Sequence, residues 1–226
     1  MRLGVLCSGG KDSWYACSLA MQKEEVTCLI SIRSENEESY LFHTPNTHLV
    51  PLQAEAAGLP LVTVETEGIE EAELADLAGA VFLAKERFGI EGVVTGALQS
   101  VYQATRIQRV CRDLGLWCFN PLWYIEPDRY MEALIRSGFS IVISGVASEP
   151  FTADWLGRQL DQTALCDLRQ YADRHRITLT GEGGEYETLI LDTPLFGQRI
   201  VIGKAEKEYA GFRGILRVKS AWLEAK

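Results

Sequence analysis

Arg2-Leu3-Gly4-Val5-Leu6-Cys7-Ser8-Gly9-Gly10-Lys11-Asp12-Ser13 is the stretch that decides the fold. A short apolar run ends at Cys7, two glycines follow Ser8, and beyond them Trp14, Cys17 and Met21 recur at helical spacing. The pattern predicts a strand, a glycine loop and a helix, with ligands gathering where the strand gives way to the helix. Two glycines let the backbone take positive φ and bring its N–H groups close to an anion. The helix opening near Lys11 adds unpaired N–H donors and the positive end of its dipole. Lys11 supplies a full charge, and Ser8 and Ser13 supply hydroxyls.

Outward from the loop, the same rhythm repeats. Val26 to Ile32 and Leu61 to Val64 read as strands, and Glu70 to Phe88 as a helix with Leu74, Leu77, Val81 and Ala84 on one face. Gly92 to Thr95 reads as a buried strand closed by Gly96. Ile107, Val110, Cys111 and Leu114 form the apolar stripe of the next helix, and Leu116 to Phe119 a further strand. Strands alternating with helices predict a parallel sheet with right-handed crossovers. Residues 34–51 read as polar and irregular.

Beyond Pro121 the rhythm changes. Asp128 to Ser137 and Asp161 to His175 read as helices, Phe139 to Val146 as a strand, and Arg199 to Ile202 with Ile215 to Trp222 as antiparallel strands. The expectation is an α/β protein: a Rossmann-like open parallel sheet over residues 1–125, then a smaller α+β C-terminal domain over 126–226.

Composition narrows the partners. The chain has 226 residues, 47% hydrophobic and 23% charged, the profile of an ordered globular protein. Its net charge of −9 disfavours bulk binding to nucleic acid or to anionic membrane surfaces, yet leaves a local basic pocket free to take a nucleotide. The six cysteines form no C-x-x-C pair and several sit in apolar runs, which fits a reducing cytoplasm. Neither a leader nor an apolar run of membrane-spanning length is read, so a cytoplasmic protein is expected.

A Walker A loop would need Gly where Val5 stands and Ser or Thr where Asp12 stands, and no G-x-G-x-x-G is present. What stands here, S-G-G-K-D-S after the first strand, resembles the PP-loop of the ATP pyrophosphatase superfamily, whose members cleave ATP between the α and β phosphates. The resemblance implies ATP binding by Ser8, Gly9, Gly10, Lys11, Asp12 and Ser13. A plain tight turn into a capped helix is the alternative. Asp12 either orients Mg²⁺ or simply favours a helix N-terminus. Lys11→Ala is expected to cut turnover heavily and spare the fold, on the premise that the lysine is exposed.

Four segments are similar to the diphthine–ammonia ligase family within that superfamily: the loop itself, Ser39 to Asn46, Gly96 to Arg106, and Gly181-Glu182-Gly183-Gly184-Glu185-Tyr186-Glu187-Thr188. Pro121-Leu122-Trp123 and Trp155-Leu156-Gly157-Arg158 echo it more briefly. Val101 departs from it, standing where an acid is expected after Ser100.

The resemblance implies ATP-dependent amidation of diphthine on elongation factor 2 by ammonia, through an acyl-adenylate, with release of AMP and pyrophosphate. No fused amidotransferase is expected ahead of Met1, so free ammonia is the expected nitrogen source, and a homodimer is admitted. Other enzymes of the superfamily, acting on a small carboxylate or a tRNA base, remain open, as does an adenine-nucleotide sensor without turnover.

Lys11, Arg106 and Glu185 are the expected catalytic residues, and Gly96 and Gln103 join the ATP site. Glu182, Gly183, Gly184, Glu185, Glu187 and Thr188 are the expected acceptor site. The glutamates crowd a glycine-rich turn, which is costly unless a metal, an ammonium or the trimethylammonium of diphthine visits; a solvated hairpin is the alternative. Arg106 either reaches a phosphate or sits salt-bridged on its helix, and an amide at Gln103 could equally tie down the loop. Asp12 is the expected Mg²⁺ ligand. His43 is read as structural, His48 and His175 carry no functional hint, and Trp123 and Trp155 read as packing.

Overall fold

The computed structural model describes residues 1–34, 45–67 and 70–226. Ser39 to Thr44, including His43, lie outside the described residues. Five parallel strands form the first sheet: β1 (Arg2–Leu6), β2 (Glu25–Ser34), β3 (Leu61–Thr66), β4 (Gly92–Val94) and β5 (Trp117–Phe119), in the order β3-β2-β1-β4-β5. The order reverses between β1 and β4. There the crossovers leave in opposite directions and open a crevice at the strand C-terminal ends, so this is the topological switch point at which open α/β sheets bind ligands.

The strands read as near-continuous apolar runs because helices cover both faces of a parallel sheet. Leu3, Val5, Cys28, Leu29, Ile30, Val93 and Val94 are all buried. The helices are α1 (Lys11–Met21), α2 (Val50–Ala57), α3 (Glu70–Phe88), α4 (Val101–Asp113), α5 (Pro127–Arg136) and α6 (Gln162–Arg174). In α3 the buried side chains Leu77, Ala80, Val81 and Ala84 fall on one face, as the helical period requires. Ser100 caps α4 through Gln103 N–H, Glu126 caps α5 through the N–H groups of Asp128 and Arg129 with Pro127 behind it, and Asp161 caps α6.

The second sheet is antiparallel, in the order β7-β6-β9-β8, from β6 (Ser140–Ala147), β7 (Tyr186–Asp192), β8 (Gln198–Ala210) and β9 (Arg213–Ala225). It does not stand apart from the first. One buried cluster joins Leu3, Val5 and Trp14 to Tyr130, Leu134, Phe151, Tyr186 and Ile190, and Trp14 meets Phe196 edge-on at 4.7 Å. Trp155 is core, against Phe151 and Tyr171.

Two elements were not anticipated. α2 begins inside the segment read as irregular, because it is only eight residues long and carries no clear apolar stripe. β7 follows directly from the glutamate turn, whose glycines and charges hide a strand held by β6 on one side and by the glycine loop on the other.

Candidate active site

Lys11 Nζ is the centre of the site. It is 3% exposed as a residue, donates to the Thr180 carbonyl at 2.6 Å and to Asp12 Oδ2 at 2.9 Å, and lies 5.4 Å from the centre of the Tyr186 ring. The expectation of an exposed lysine is therefore corrected: β7 and the turn before it close over Lys11, which sequence proximity could not reveal. Burial works against its charge, but the neighbouring Asp12, Tyr186 and Glu187 outweigh that and raise its pKa above the ordinary lysine value. The ammonium stays charged at neutral pH.

The glycine loop is held from behind by Gln53, a fully buried residue of α2. Its amide donates to the Gly9 carbonyl at 3.0 Å and to the Ile190 carbonyl at 2.9 Å, while its oxygen accepts from the Trp14 indole at 3.0 Å. Ile190 N–H also donates to the Gly9 carbonyl at 3.1 Å, and Lys11 N–H donates to Thr188 Oγ1 at 3.0 Å. Gly9 has φ +87, and a side-chain carbon there would meet Gln53 at 3.0 Å; one at Gly10 would meet the Thr188 carbonyl at 3.3 Å. The loop is thus wedged between α2 and β7, and glycine is what lets it fit.

A cavity of about 610 Å³ opens in front of it. Ser8, Lys11, Asp12 and Ser13 form one wall; Thr95, Gly96, Ala97, Ser100 and Gln103 a second; Gly181, Glu182, Gly183, Gly184, Tyr186 and Glu187 a third. Leu6, Ile30, Ile32, Leu77 and Ile107 make an apolar end. The fold brings together three segments far apart in the chain, and ten of the residues singled out from sequence line the cavity: Ser8, Lys11, Asp12, Ser13, Gly96, Gln103, Glu182, Gly183, Gly184 and Glu187. Gly9, Gly10 and Thr188 support the loop from outside the lining.

Arg106 and Glu185 are not brought to the cavity wall. The Arg106 guanidinium stacks on the Tyr102 ring, 3.4 Å from its centre, and it is Tyr102 that lines the cavity. Glu185 points the other way: its carboxylate accepts from Thr178 N–H at 2.5 Å and from Thr178 Oγ at 3.0 Å. A side-chain carbon on Gly183 would lie 2.7 Å from Glu185 Oε1, so Glu185 and Gly183 together shape the turn. The spacing Glu-Gly-Gly-Glu-Tyr-Glu could not show which glutamates face inward, because a turn of glycines has no fixed side-chain period.

The acids that do face the cavity are electrostatically loaded. Burial, with Asp12 adding to it, raises the Glu182 pKa; burial likewise pushes Glu187 up to about 7, against the pull of Lys11 and with repulsion from Asp12 and Glu182. Carboxyls so perturbed in a cleft are candidates for a functional site. Cys7 also lines the cavity, but burial pushes its thiol up to about 11, so it is a packed group rather than a nucleophile.

Three polar partners escaped the sequence. Gln53 left no signal, Tyr130 looks like one more apolar position of α5, and the Thr180 carbonyl is invisible by type. Tyr130 Oη donates to Asp12 Oδ1 at 2.7 Å.

A glycine turn that opens a helix at the switch point of a 3-2-1-4-5 parallel sheet defines a Rossmann-like α/β protein with a loop built to receive an anion. The family models for the diphthamide synthase N-terminal and C-terminal domains match residues 1–118 and 126–223. The chain is 33% identical over 226 residues to diphthine–ammonia ligases of Bos taurus and Homo sapiens, covering 91% of this chain and 84% of each relative. It belongs to the diphthamide synthase family. A crystal structure from Methanocaldococcus jannaschii, described as a predicted subunit of tRNA methyltransferase, aligns with a TM-score of 0.47 and 15% identity over 86% of this chain and 98% of its own.

Proposed function

We propose that this chain amidates the carboxylate of diphthine on elongation factor 2, consuming ATP and ammonia and releasing AMP and pyrophosphate, in the cytoplasm. The observation that carries the reading is the single cavity in which the Ser8–Ser13 loop faces the Gly181–Glu187 turn, so that an anion cradle and an acidic wall address the same space.

ATP enters with its base against Leu6, Ile30, Ile32, Leu77 and Ile107 and its phosphates along the N-terminus of α1, where first-turn N–H groups lack intrahelical partners. Lys11, buried and charged, neutralises the phosphates. The substrate carboxylate attacks the α-phosphorus, the bond to the bridging oxygen breaks, and pyrophosphate leaves. Ammonia then attacks the acyl carbon; the C–N bond forms, the C–O bond to AMP breaks, and the surplus proton passes to a base. Adenylation is needed because a carboxylate oxygen is a poor leaving group at neutral pH. Positioning and charge neutralisation carry the catalysis.

Asp12 suits Mg²⁺: its side chain is 30% exposed on the cavity wall and each oxygen accepts one hydrogen bond, which leaves an acceptor position on each. Among the described residues no cluster of three His, Cys, Asp or Glu could cage a metal, so the nucleotide's phosphates would complete the shell. Held by Asp12, Mg²⁺ would supply positive charge against the phosphate oxygens.

Glu182 and Glu187 form the acceptor wall and suit a cationic group. Glu185 and Arg106 act one step back, the first by shaping the turn and the second by backing Tyr102. Among the described residues no helix is long and apolar enough to cross a membrane. The direct test supplies ATP, Mg²⁺, ammonium and diphthine-bearing elongation factor 2. Amide with stoichiometric AMP and pyrophosphate is expected, whereas ADP as the nucleotide product would overturn the reading.

A further inference from the structure

Tyr130 is a polar side chain in the wrong place for a packing residue. It lies on α5, fully buried beside Met131 and Leu134, and its ring packs on Tyr15 at 5.4 Å. A phenylalanine would fill the same core. Instead its hydroxyl reaches out of the core to Asp12 Oδ1 at 2.7 Å, while Asp12 Oδ2 takes the Lys11 ammonium at 2.9 Å. A carboxylate with one ligand would be free to swing toward Lys11 and pair with it through both oxygens. Two donors on opposite oxygens restrict its rotation and leave an acceptor position on each oxygen of a side chain that lines the cavity.

We infer that Tyr130 is a positioning residue, which keeps the Asp12 carboxylate turned to a divalent cation on the nucleotide phosphates and away from a closed ion pair with Lys11. The inference rests on the nucleotide reading of the cavity, and it extends that reading to a residue 118 positions from Asp12 in sequence. It also ties α5 to the phosphate end of the site, so the C-terminal half completes a loop that the N-terminal half begins.

The test uses the full chain and needs neither acceptor nor turnover. Mn²⁺ binding in the presence of α,β-methylene ATP is followed by electron paramagnetic resonance for the parent, Tyr130→Phe, Asp12→Asn and the double variant, with Tyr15→Phe as a control that removes a hydroxyl from the same ring pair. Tyr130→Phe should weaken Mn²⁺ binding about tenfold, the size expected for losing one hydrogen bond to a charged group. Metal-free nucleotide affinity should change less than twofold, and Tyr15→Phe should match the parent. In the Asp12→Asn background, adding Tyr130→Phe should cost nothing further.

Unchanged Mn²⁺ affinity in Tyr130→Phe would overturn the inference. So would equal losses of metal-dependent and metal-free nucleotide binding, or a full additional loss in the double variant, since each describes packing alone. If Tyr130→Phe does not fold, Asp12→Asn decides: it must weaken Mn²⁺ binding at least tenfold, and parity with the parent sinks the role of Asp12 and of Tyr130 with it. Failure of the parent to amidate, with the Mn²⁺ shift intact, would count against the proposed acceptor only.

Discussion

Gly96 lies directly against Asp12: a methyl group on its α-carbon would stand 2.7 Å from the Asp12 carbonyl carbon and from the Ser13 nitrogen. The backbone leaving β4 thus touches the backbone opening α1, and this contact sets the width of the crevice between the two strands at the switch point. No flexible side chain is available to yield, since the atoms met are main chain.

Gly96→Ala should therefore separate the two loops. Overpacking of this kind costs about 1–3 kcal/mol, and nucleotide affinity should fall at least tenfold because Ser13 N–H belongs to the helix N-terminus. Urea unfolding and calorimetric titration with ATP check both. A variant of parental affinity would mean that the loops are not held in contact in solution.

Lys11→Ala should abolish AMP release and also destabilise the chain. Removing a buried cation leaves the Thr180 carbonyl without its donor and Asp12 and Glu187 without their counter-charge. The expected loss is about 1–3 kcal/mol. Chemical denaturation that matched the parent would contradict the burial of the ammonium.

Gln53→Leu removes three hydrogen bonds at the back of the loop and orphans the Trp14 indole. A loss of about 2–4 kcal/mol is expected, with weaker nucleotide binding measured at a temperature where the variant is folded. Retention of full stability would show that α2 does not hold the loop.

Glu187 gives a pH signature. Its folded pKa, about 7, exceeds the ordinary value of 4.5, so its contribution to stability is whole below about 4.5 and is lost as pH rises through about 7. Glu187→Gln should abolish that part of the pH dependence: the variant should match the parent at about pH 4 and be more stable by up to about 3 kcal/mol at about pH 8. Parallel stability curves for the two proteins across that window would show that the carboxyl titrates normally.

Glu185→Gln separates turn building from chemistry. The neutral amide loses the charged acceptor of Thr178, and a loss of about 1–2 kcal/mol is expected. Turnover measured well below the unfolding temperature should fall less than in Glu187→Gln. The reverse ranking would return Glu185 to the acceptor wall.

The Arg2–Ser13 stretch was enough to determine strand, glycine turn and helix, because an apolar run, two glycines and a 3.6-residue period are local signals. The alternation that follows determined the parallel sheet, and Gly96 was legible because the turn after β4 falls at the same sheet edge as the loop, whereas for Gln103 the sequence left a ligand contact and a loop tie equally open. What faces what was not local. Glu187 turns inward and Glu185 outward within one glycine-rich turn whose period no rule fixes, and Arg106 spends its guanidinium on Tyr102. The burial of Lys11 and the reach of Gln53 and Tyr130 to the loop depend on β7, α2 and α5 packing together across more than a hundred residues of chain, as the separation of 118 between Asp12 and Tyr130 shows. Chemistry is written in residue types, but the direction of a side chain is settled only when distant surfaces compete for it.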